Sequence, residues 1–323
     1  MRFVVYKGLE GWGDRIQVGL EAVRYARLTN RIVVFDWRDR DWSGETGRIL
    51  ESFLRFEGVR SFELESFLEY FEAYSDKLTV FPPAWARFVT DGDYVNRVRG
   101  QAFRWPSDDV PRSEIVNLKA PDVEADVVII PFGSRNFWWA DFRHIQLSEL
   151  VRPVLKAFFR QAGLAFGQYD AVHLRAGSKT WDVRRKMQKQ LSEKINEKFP
   201  TEASYLDYLV QQVRTIRRDP STVPLMVISD SRDMAQKFIE LVPDARFLGQ
   251  SFGGEIPGSG IHMASGEDLR AKGLNRYDLN IEMLRDFAVL LNAREVFSDD
   301  LSMFSNTAKR IPKHVIGNWK FDG

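Results

Sequence analysis

FVVYKGLEGWGDRIQVGLEAVRYARLTNRIVVFDWRD, running from Phe3 to Asp39, is the stretch that decides the fold. It opens on a short apolar run, Phe3 to Tyr6, that reads as a buried strand. A glycine-containing loop, Gly8 to Gly13, follows it. Ile16, Leu20, Val23 and Arg27 then fall at helical spacing, which predicts a helix to about Leu28. Arg31 to Phe35 (RIVVF) reads as a second buried strand. Strand, helix and strand in so short a span make a βαβ unit with parallel strands.

The same alternation resumes further along. Asp126 to Ile130 (DVVII) returns to the sheet, and Leu147 to Gln161 reads as a helix before a turn at Gly163 to Gly167, where the domain boundary is placed. Tyr169 to Leu174 is a strand, followed by a polar loop and helices to about Arg218. Val223 to Ser229 is a strand, Arg232 to Leu241 a helix and Arg246 to Leu248 a short strand. A Gly-rich loop, Gly249 to Gly260, precedes a helix over Leu279 to Leu291, a strand over Glu295 to Ser298 and a helix over Ser302 to Arg310. This pattern predicts an α/β fold with two doubly wound domains, residues 1–165 and 166–323. Trp42 to Glu124 stands apart: rich in aromatics and proline, it reads as short helices and loops around a binding surface.

With 323 residues the chain is long enough for two such domains, each with its own core. Hydrophobic residues make up 44% and charged residues 28%, the balance of a globular protein rather than a disordered one. Formal net charge is +1, so no overall field favours nucleic acid or an anionic membrane, and any phosphate must be bound locally. The absence of cysteine excludes disulfides, thiolate metal sites and cysteine nucleophiles. The opening residues have too short an apolar run for a signal peptide, and no later run approaches the ~20 apolar residues of a spanning helix. A cytoplasmic protein is expected, and a peripheral membrane contact is compatible with it. Seven of the nine Trp precede residue 140: Trp12, Trp37, Trp42, Trp85, Trp105, Trp138 and Trp139. Singly they read as core and loop packing; as a set they lean towards a cleft where pyranose faces stack on aromatic planes.

Three constellations carry chemistry. Gly11-Trp12-Gly13-Asp14-Arg15 lies between the first strand and helix, where backbone N–H groups can approach an anion. A dinucleotide reading must be weighed, since Asp36 ends the second strand where a ribose-binding acid would sit, but Ile16 occupies the third glycine of G-x-G-x-x-G. Asp14 also suits a helix N-cap. His173-Leu174-Arg175 ends a buried strand and runs into Ala176-Gly177-Ser178-Lys179-Thr180-Trp181-Asp182. In open α/β sheets ligands bind at the carboxyl ends of strands, and Arg suits bidentate phosphate binding. Ser302-Met303-Phe304 begins the last helix, where a hydroxyl and free N–H groups make an anion seat. Asp286, on the preceding helix, is an acid among apolar neighbours. Asp299-Asp300 reads as turn chemistry rather than a metal pair, because hard cations want more converging oxygens. Arg184 to Lys198, charged with mixed sign, reads as a solvated helix.

These motifs resemble a known family. GWGDRIQVGLEAVRYARLTNRIVVFDWRD resembles the amino-terminal motif of the nodulation-factor α-1,6-fucosyltransferases, down to Asp36-Trp37-Arg38. HLRAG, containing His173 and Arg175, resembles the H-x-R motif that those enzymes share with the core N-glycan α-1,6-fucosyltransferases and protein O-fucosyltransferases. VISDS (Val227 to Ser231) resembles their third shared strand, and Ser302-Met303-Phe304 with Ala308 the carboxyl-terminal S-x-F segment.

The resemblance implies a GT-B-type fold of two Rossmann-like domains: an acceptor-side domain, 1–165, and a GDP-sugar-binding domain, 166–323. It implies GDP-fucose as donor, a glycan acceptor, inversion at the anomeric carbon and no metal or other cofactor. Arg175 would bind the β-phosphate, His173 would contact the nucleoside and Asp286 would read guanine. Ser302 and Phe304 would line the diphosphate and donor pocket; Gly11 and Gly13 of the first glycine loop are further candidate donor-binding residues. His262 in GIHMAS resembles a histidine of the nodulation enzymes. Ala176 departs from a basic residue in relatives, whereas Lys179 falls at the position of a lysine. The relatives' glutamate would fall on Val183, so Asp182, one residue early, is the candidate base, with Asp14 as its competitor. Another nucleotide sugar, a non-catalytic nucleotide- or glycan-binding protein, and the disfavoured NAD-dependent oxidoreductase are the alternatives.

Overall fold

A computed structural model of the chain describes residues 1–8, 11–38, 53–92, 123–130, 139–175, 199–217, 222–249, 266–271, 273–300 and 302–322. These pack as two compact units, Met1–Val151 with His314–Gly317, and Arg152–Lys313 with Asn318–Gly323.

The first unit begins with the βαβ motif that the sequence predicts: β1 (Phe3–Lys7), α1 (Trp12–Leu28) and β2 (Ile32–Asp36). It continues through β3 (Leu54–Phe56), α2 (Leu64–Tyr74), β4 (Val80–Phe81), β5 (Val127–Ile130) and β6 (Ile145–Leu147). The parallel sheet has the order β2-β1-β5-β4, while β3 and β6 form a separate antiparallel pair. All five residues of β1 are buried, so the strand is covered on both faces, as a central parallel strand must be. Phe3 and Val5 pack into a cluster with Phe67 and Phe71 of α2. Tyr6 and Phe35 meet edge to face at 5.2 Å. Gly19 of α1 lies against them, since a Cβ there would come within 3.0 Å of the Phe35 ring.

The second unit contains α3 (Arg152–Ala162), β7 (Asp170–Leu174), α4 (Glu202–Ile216), β8 (Leu225–Ser229), α5 (Arg232–Leu241), β9 (Ala245–Phe247), α6 (Gly266–Ala271), α7 (Arg276–Asn292), β10 (Val296–Phe297) and α8 (Met303–Arg310). Its sheet is parallel throughout, in the order β10-β7-β8-β9. Three helix starts follow from their caps. Thr201 and Ser204 form a reciprocal capping box at α4, Ser231 accepts the Met234 N–H at α5, and Asn275 accepts the Asp278 N–H at α7.

The structure departs from the sequence expectations in four places. Leu147 closes a strand, and the helix expected from there starts at Arg152. The units divide between Val151 and Arg152, ahead of the Gly163 to Gly167 turn, because α3 packs into the second unit: Phe159 stacks on Phe321 at 4.4 Å. Arg31 precedes β2 and is itself buried, its guanidinium donating to the carbonyls of Val123 and Ala125. Trp12, Trp37 and Trp85 are buried core residues, so none of the three is a sugar platform; Trp42, Trp105 and Trp138 lie outside the described residues.

Candidate functional site

The carboxyl ends of β7, β8, β9 and β10 collect the chemistry of the second unit. His173 is the fourth residue of β7 and pairs in register with Ile228, and Leu174 pairs with Ser229. One step further along both strands, Arg175 and Asp230 meet: Arg175 Nη1 lies 3.1 Å from Asp230 Oδ2. The Arg175 N–H donates to the Tyr205 hydroxyl at 2.9 Å, which fixes the backbone where the strand ends. The guanidinium is about one-third exposed, so it is anchored yet open to a ligand.

His173 is buried, and its Nδ1 has no hydrogen-bond partner among the described residues. Burial pushes its pKa down to about 4, against the pull of Asp230 and Asp299, so the imidazole is neutral at neutral pH. Its ring lies 5.4 Å from that of Phe304, which in turn meets Phe287 of α7 edge to face at 5.5 Å. Phe304 therefore ties β7, α7 and α8 together at this edge.

Past the end of β10, Asp299 Oδ1 accepts the Ser302 N–H at 3.0 Å, and the Asp300 carbonyl accepts from Asn306 Nδ2. Asp300 itself has φ +59°, so this acidic pair builds the turn into α8, as expected. Ser302 is the N-cap residue of α8 but makes no side-chain cap hydrogen bond.

Asp286 stands in a largely apolar helix segment, but the residue before it, Arg285, is its partner. Its Oδ1 accepts from Arg285 Nε at 3.0 Å and Nη2 at 2.8 Å, and Arg285 Nη2 also donates to the Gly249 carbonyl just beyond β9. That bond holds Asp286 beside the loop leaving the carboxyl end of β9. Burial raises the Asp286 carboxyl to about 6, and the Arg285 cation only partly offsets it. Its Oδ2 makes no hydrogen bond to a described residue.

In the first unit, α1 starts inside the glycine loop. Gly11 is the N-cap and supplies no side-chain acceptor, Gly13 is buried in the first turn, and Asp14 lies half-buried in that turn rather than at the cap. A Cβ on Gly11 would meet nothing within 4 Å, whereas one on Gly8 would meet Arg15 Nη1 at 2.5 Å and Trp37 Nε1 at 2.8 Å. Gly8 is thus the glycine whose close approach the packing requires. Asp36 is taken: Lys7 Nζ lies 2.7 Å from its Oδ2, and Arg38 Nε and Nη2 donate to its two oxygens at 2.8 and 2.9 Å. A ribose-binding acid must be open to solvent, and Asp36 is fully enclosed.

Lys179, Asp182, His262 and the Arg184 to Lys198 stretch lie outside the described residues. Among the described residues no three His, Asp or Glu side chains converge as metal ligands would. Sequence reasoning missed Asp230 as the partner of Arg175, although it stands inside the VISDS motif at the end of the neighbouring strand. The signal for it is register: β7 and β8 run parallel, so their end residues are neighbours.

No family model matches the chain, and no curated protein matches it in sequence. Solved structures do match in shape. The NodZ α-1,6-fucosyltransferase co-crystallized with GDP is 17% identical, with a TM-score of 0.58, over 96% of this chain and 92% of that one. The fucosyltransferase NodZ from Bradyrhizobium is 18% identical, with a TM-score of 0.57, over 95% of this chain and 91% of that one. POFUT1 in complex with GDP-fucose is 14% identical, with a TM-score of 0.54, over 97% of this chain and 95% of that one. The chain has the fold of these fucosyltransferases, which belong to the family its motifs resemble.

Proposed function

We propose that the chain is an inverting, metal-independent GT-B-type glycosyltransferase that moves fucose from GDP-fucose to a hydroxyl of a glycan. The observation that carries this is the grouping of His173, Arg175, Phe304 and Ser302 at the carboxyl edge of one parallel sheet, with Asp286 beside the loop leaving the same edge.

Each group has a physical role there. Arg175, held by Asp230 and about one-third exposed, presents its guanidinium to the β-phosphate. As the bond from C1 of fucose to the β-phosphate oxygen breaks, charge grows on the departing GDP, and the guanidinium neutralises it. Lys179 adds a second positive charge. Ser302 and the N–H groups opening α8 line the diphosphate. The neutral His173 ring and Phe304 form a wall for the nucleoside. Asp286, ionised, accepts the N1–H and amino N–H of guanine, donors that a uracil ring does not offer in that pairing. The acceptor hydroxyl loses its proton to a carboxylate, Asp182 or Asp14, while its oxygen attacks C1 from the face opposite GDP.

The test is turnover of GDP-fucose with a panel of oligosaccharides, read as GDP release and product mass, with EDTA present and with UDP-, CMP- and ADP-sugars as comparators. Product from GDP-fucose in EDTA is expected. Equal turnover of a UDP-sugar would remove the guanine assignment, a strict metal requirement would remove the arginine-based mechanism, and tight GDP binding with no turnover on any acceptor would favour a binding protein.

A further inference from the structure

The first unit contains a cavity of about 750 Å³ that the fucosyl-transfer reading does not use. It lies against the last turn of α1, Asn30 and Arg31 between α1 and β2, the turn after β3 and the short helical segment Trp139–His144. α1 has 17 residues, which separates this end from the Gly11 loop by about 25 Å. The cavity and that loop are therefore at opposite ends of one helix.

Among the described residues five arginines line it, Arg24, Arg27, Arg31, Arg60 and Arg143, against one carboxylate, Asp141. The balance is unusual for a chain whose net charge is +1. Asp141 is already committed: its Oδ1 is 2.7 Å from Arg27 Nη1 and its Oδ2 is 3.7 Å from Arg24 Nη1. Arg31 is spent on backbone carbonyls. Arg60 uses only Nη2, which donates to Asn30 at 2.6 and 2.7 Å, and Arg143 uses only Nε, which donates to His144 Nε2 at 3.3 Å. The remaining fork nitrogens of these two exposed residues have no hydrogen-bond partner among the described residues. The carboxyl end of α1 adds partial negative charge, about half an elementary charge, which does not balance this excess.

Trp139 also lines the cavity, half-buried, and so supplies an apolar face beside the guanidinium forks. An aromatic plane next to arginines suits a sugar ring that carries oxyanions: the ring packs on the indole while carboxylate or sulfate groups take paired N–H donors. The volume is in the range of small-ligand sites. We propose that this cavity, at the end of α1 opposite the Gly11 loop, binds an acidic oligosaccharide.

Isothermal titration of the full chain tests it, with a heparin tetrasaccharide (sulfate esters), a hyaluronan tetrasaccharide (carboxylates only), neutral maltotetraose and tetraglutamate as probes. The double variant Arg60→Gln, Arg143→Gln removes exposed charges and is expected to keep the unfolding midpoint of the parent. At least one acidic tetrasaccharide is expected to bind, maltotetraose is not, and the double variant is expected to lose about tenfold in affinity or more. Binding of heparin alone assigns sulfate esters, and binding of both assigns carboxylates as sufficient. Trp139→Leu is expected to weaken the acidic sugar while sparing inorganic sulfate. Unchanged affinity in the double variant, tetraglutamate binding as tightly as the sugars, or no binding of either acidic tetrasaccharide overturns the proposal. None of these readouts depends on GDP or on turnover, so failure of the fucosyl-transfer reading leaves this test intact.

Discussion

Arg175 Nη1 lies 3.1 Å from Asp230 Oδ2, across the ends of two adjacent parallel strands. The carboxylate fixes one corner of the guanidinium at the strand ends, and the side chain stays about one-third exposed. Arg175→Ala is expected to weaken GDP binding and to lower kcat, because the group acts before and during bond breaking. Removing such a charge-stabilising donor costs about 10²–10³-fold in kcat. Arg175→Lys restores charge without the planar fork and is expected to recover only a fraction of the rate. Asp230→Asn keeps the charge and loosens its aim, so kcat falls while GDP affinity changes little. Titration of GDP beside steady-state kinetics separates these outcomes, and an Arg175→Lys enzyme with full activity would refute the bidentate role.

Asp286 must be ionised to accept two guanine donors, and burial holds its pKa near 6. At about pH 5 only about one carboxyl in ten is ionised. GDP binding is therefore expected to weaken about tenfold between pH 7 and pH 5, and the step should vanish in Asp286→Asn. Titrating the inorganic diphosphate in parallel isolates the base, since its binding should not share that step. A pH-independent GDP affinity would make Asp286 structural.

Asp286 and His173 pull stability in opposite directions over the same pH range. The folded-state pKa of His173 is depressed from 6.5 to about 4, so the unfolded chain binds more protons in that window and stability is lost as pH falls through it. Asp286 is raised from 3.8 to about 6, so the folded chain binds more protons there and stability is lost as pH rises. The parent is expected to show a shallow dependence between about pH 4 and pH 6. Asp286→Asn should be more stable than the parent at pH 7 and should expose the His173 slope, rising with pH. His173→Gln should show the reverse. Urea unfolding across the window measures both, and parallel curves for the two variants would contradict the assignment.

The βαβ opening and the alternating second half are legible in the sequence because parallel strands are continuous apolar runs and their crossover helices are periodic. Ligand-edge residues such as His173 and Arg175 are legible for the same reason: they stand where an apolar run stops. α2 is one of the short helices expected in the aromatic-rich stretch, and Leu64, Phe67, Leu68 and Phe71 at helical spacing mark where it falls. What a linear pattern does not carry is partnership at long range. Arg285 stands next to Asp286 in sequence, but its bond to the Gly249 carbonyl, which sets the pair beside the loop after β9, is not visible there. The arginines of the first unit's cavity come from three segments far apart in sequence. Asp36 shows the converse, a residue whose position fits a cofactor acid and whose partners make that role impossible.

Those partners give the last prediction. Lys7 and Asp36 are both enclosed, and Lys7 Nζ also donates to the carbonyls of Phe88, Val89 and Asp91. Burial alone would raise the Asp36 carboxyl, yet the Lys7 ammonium and the Arg38 guanidinium hold it below its usual value. The pair joins the ends of β1 and β2 to the segment after β4, so it fixes the carboxyl edge of the first sheet. Lys7→Met leaves a buried carboxylate with Arg38 as its remaining cation and strips three carbonyls of a donor. Breaking one side of a buried pair costs about 3–5 kcal/mol. Asp36→Asn strands the Lys7 ammonium, which can shed its proton, so its cost should be smaller. If the two side chains act as a unit, the double variant Lys7→Met, Asp36→Asn should lose less than the sum of the single losses. Asp36 contributes stability above pH 3.8 that disappears as pH falls through its lower folded value, so the penalty of Asp36→Asn should shrink in acid. Urea midpoints of the four proteins at neutral and acid pH decide this. Strict additivity would mean that the ion pair is incidental and that the carbonyl contacts of Lys7 hold this edge by themselves.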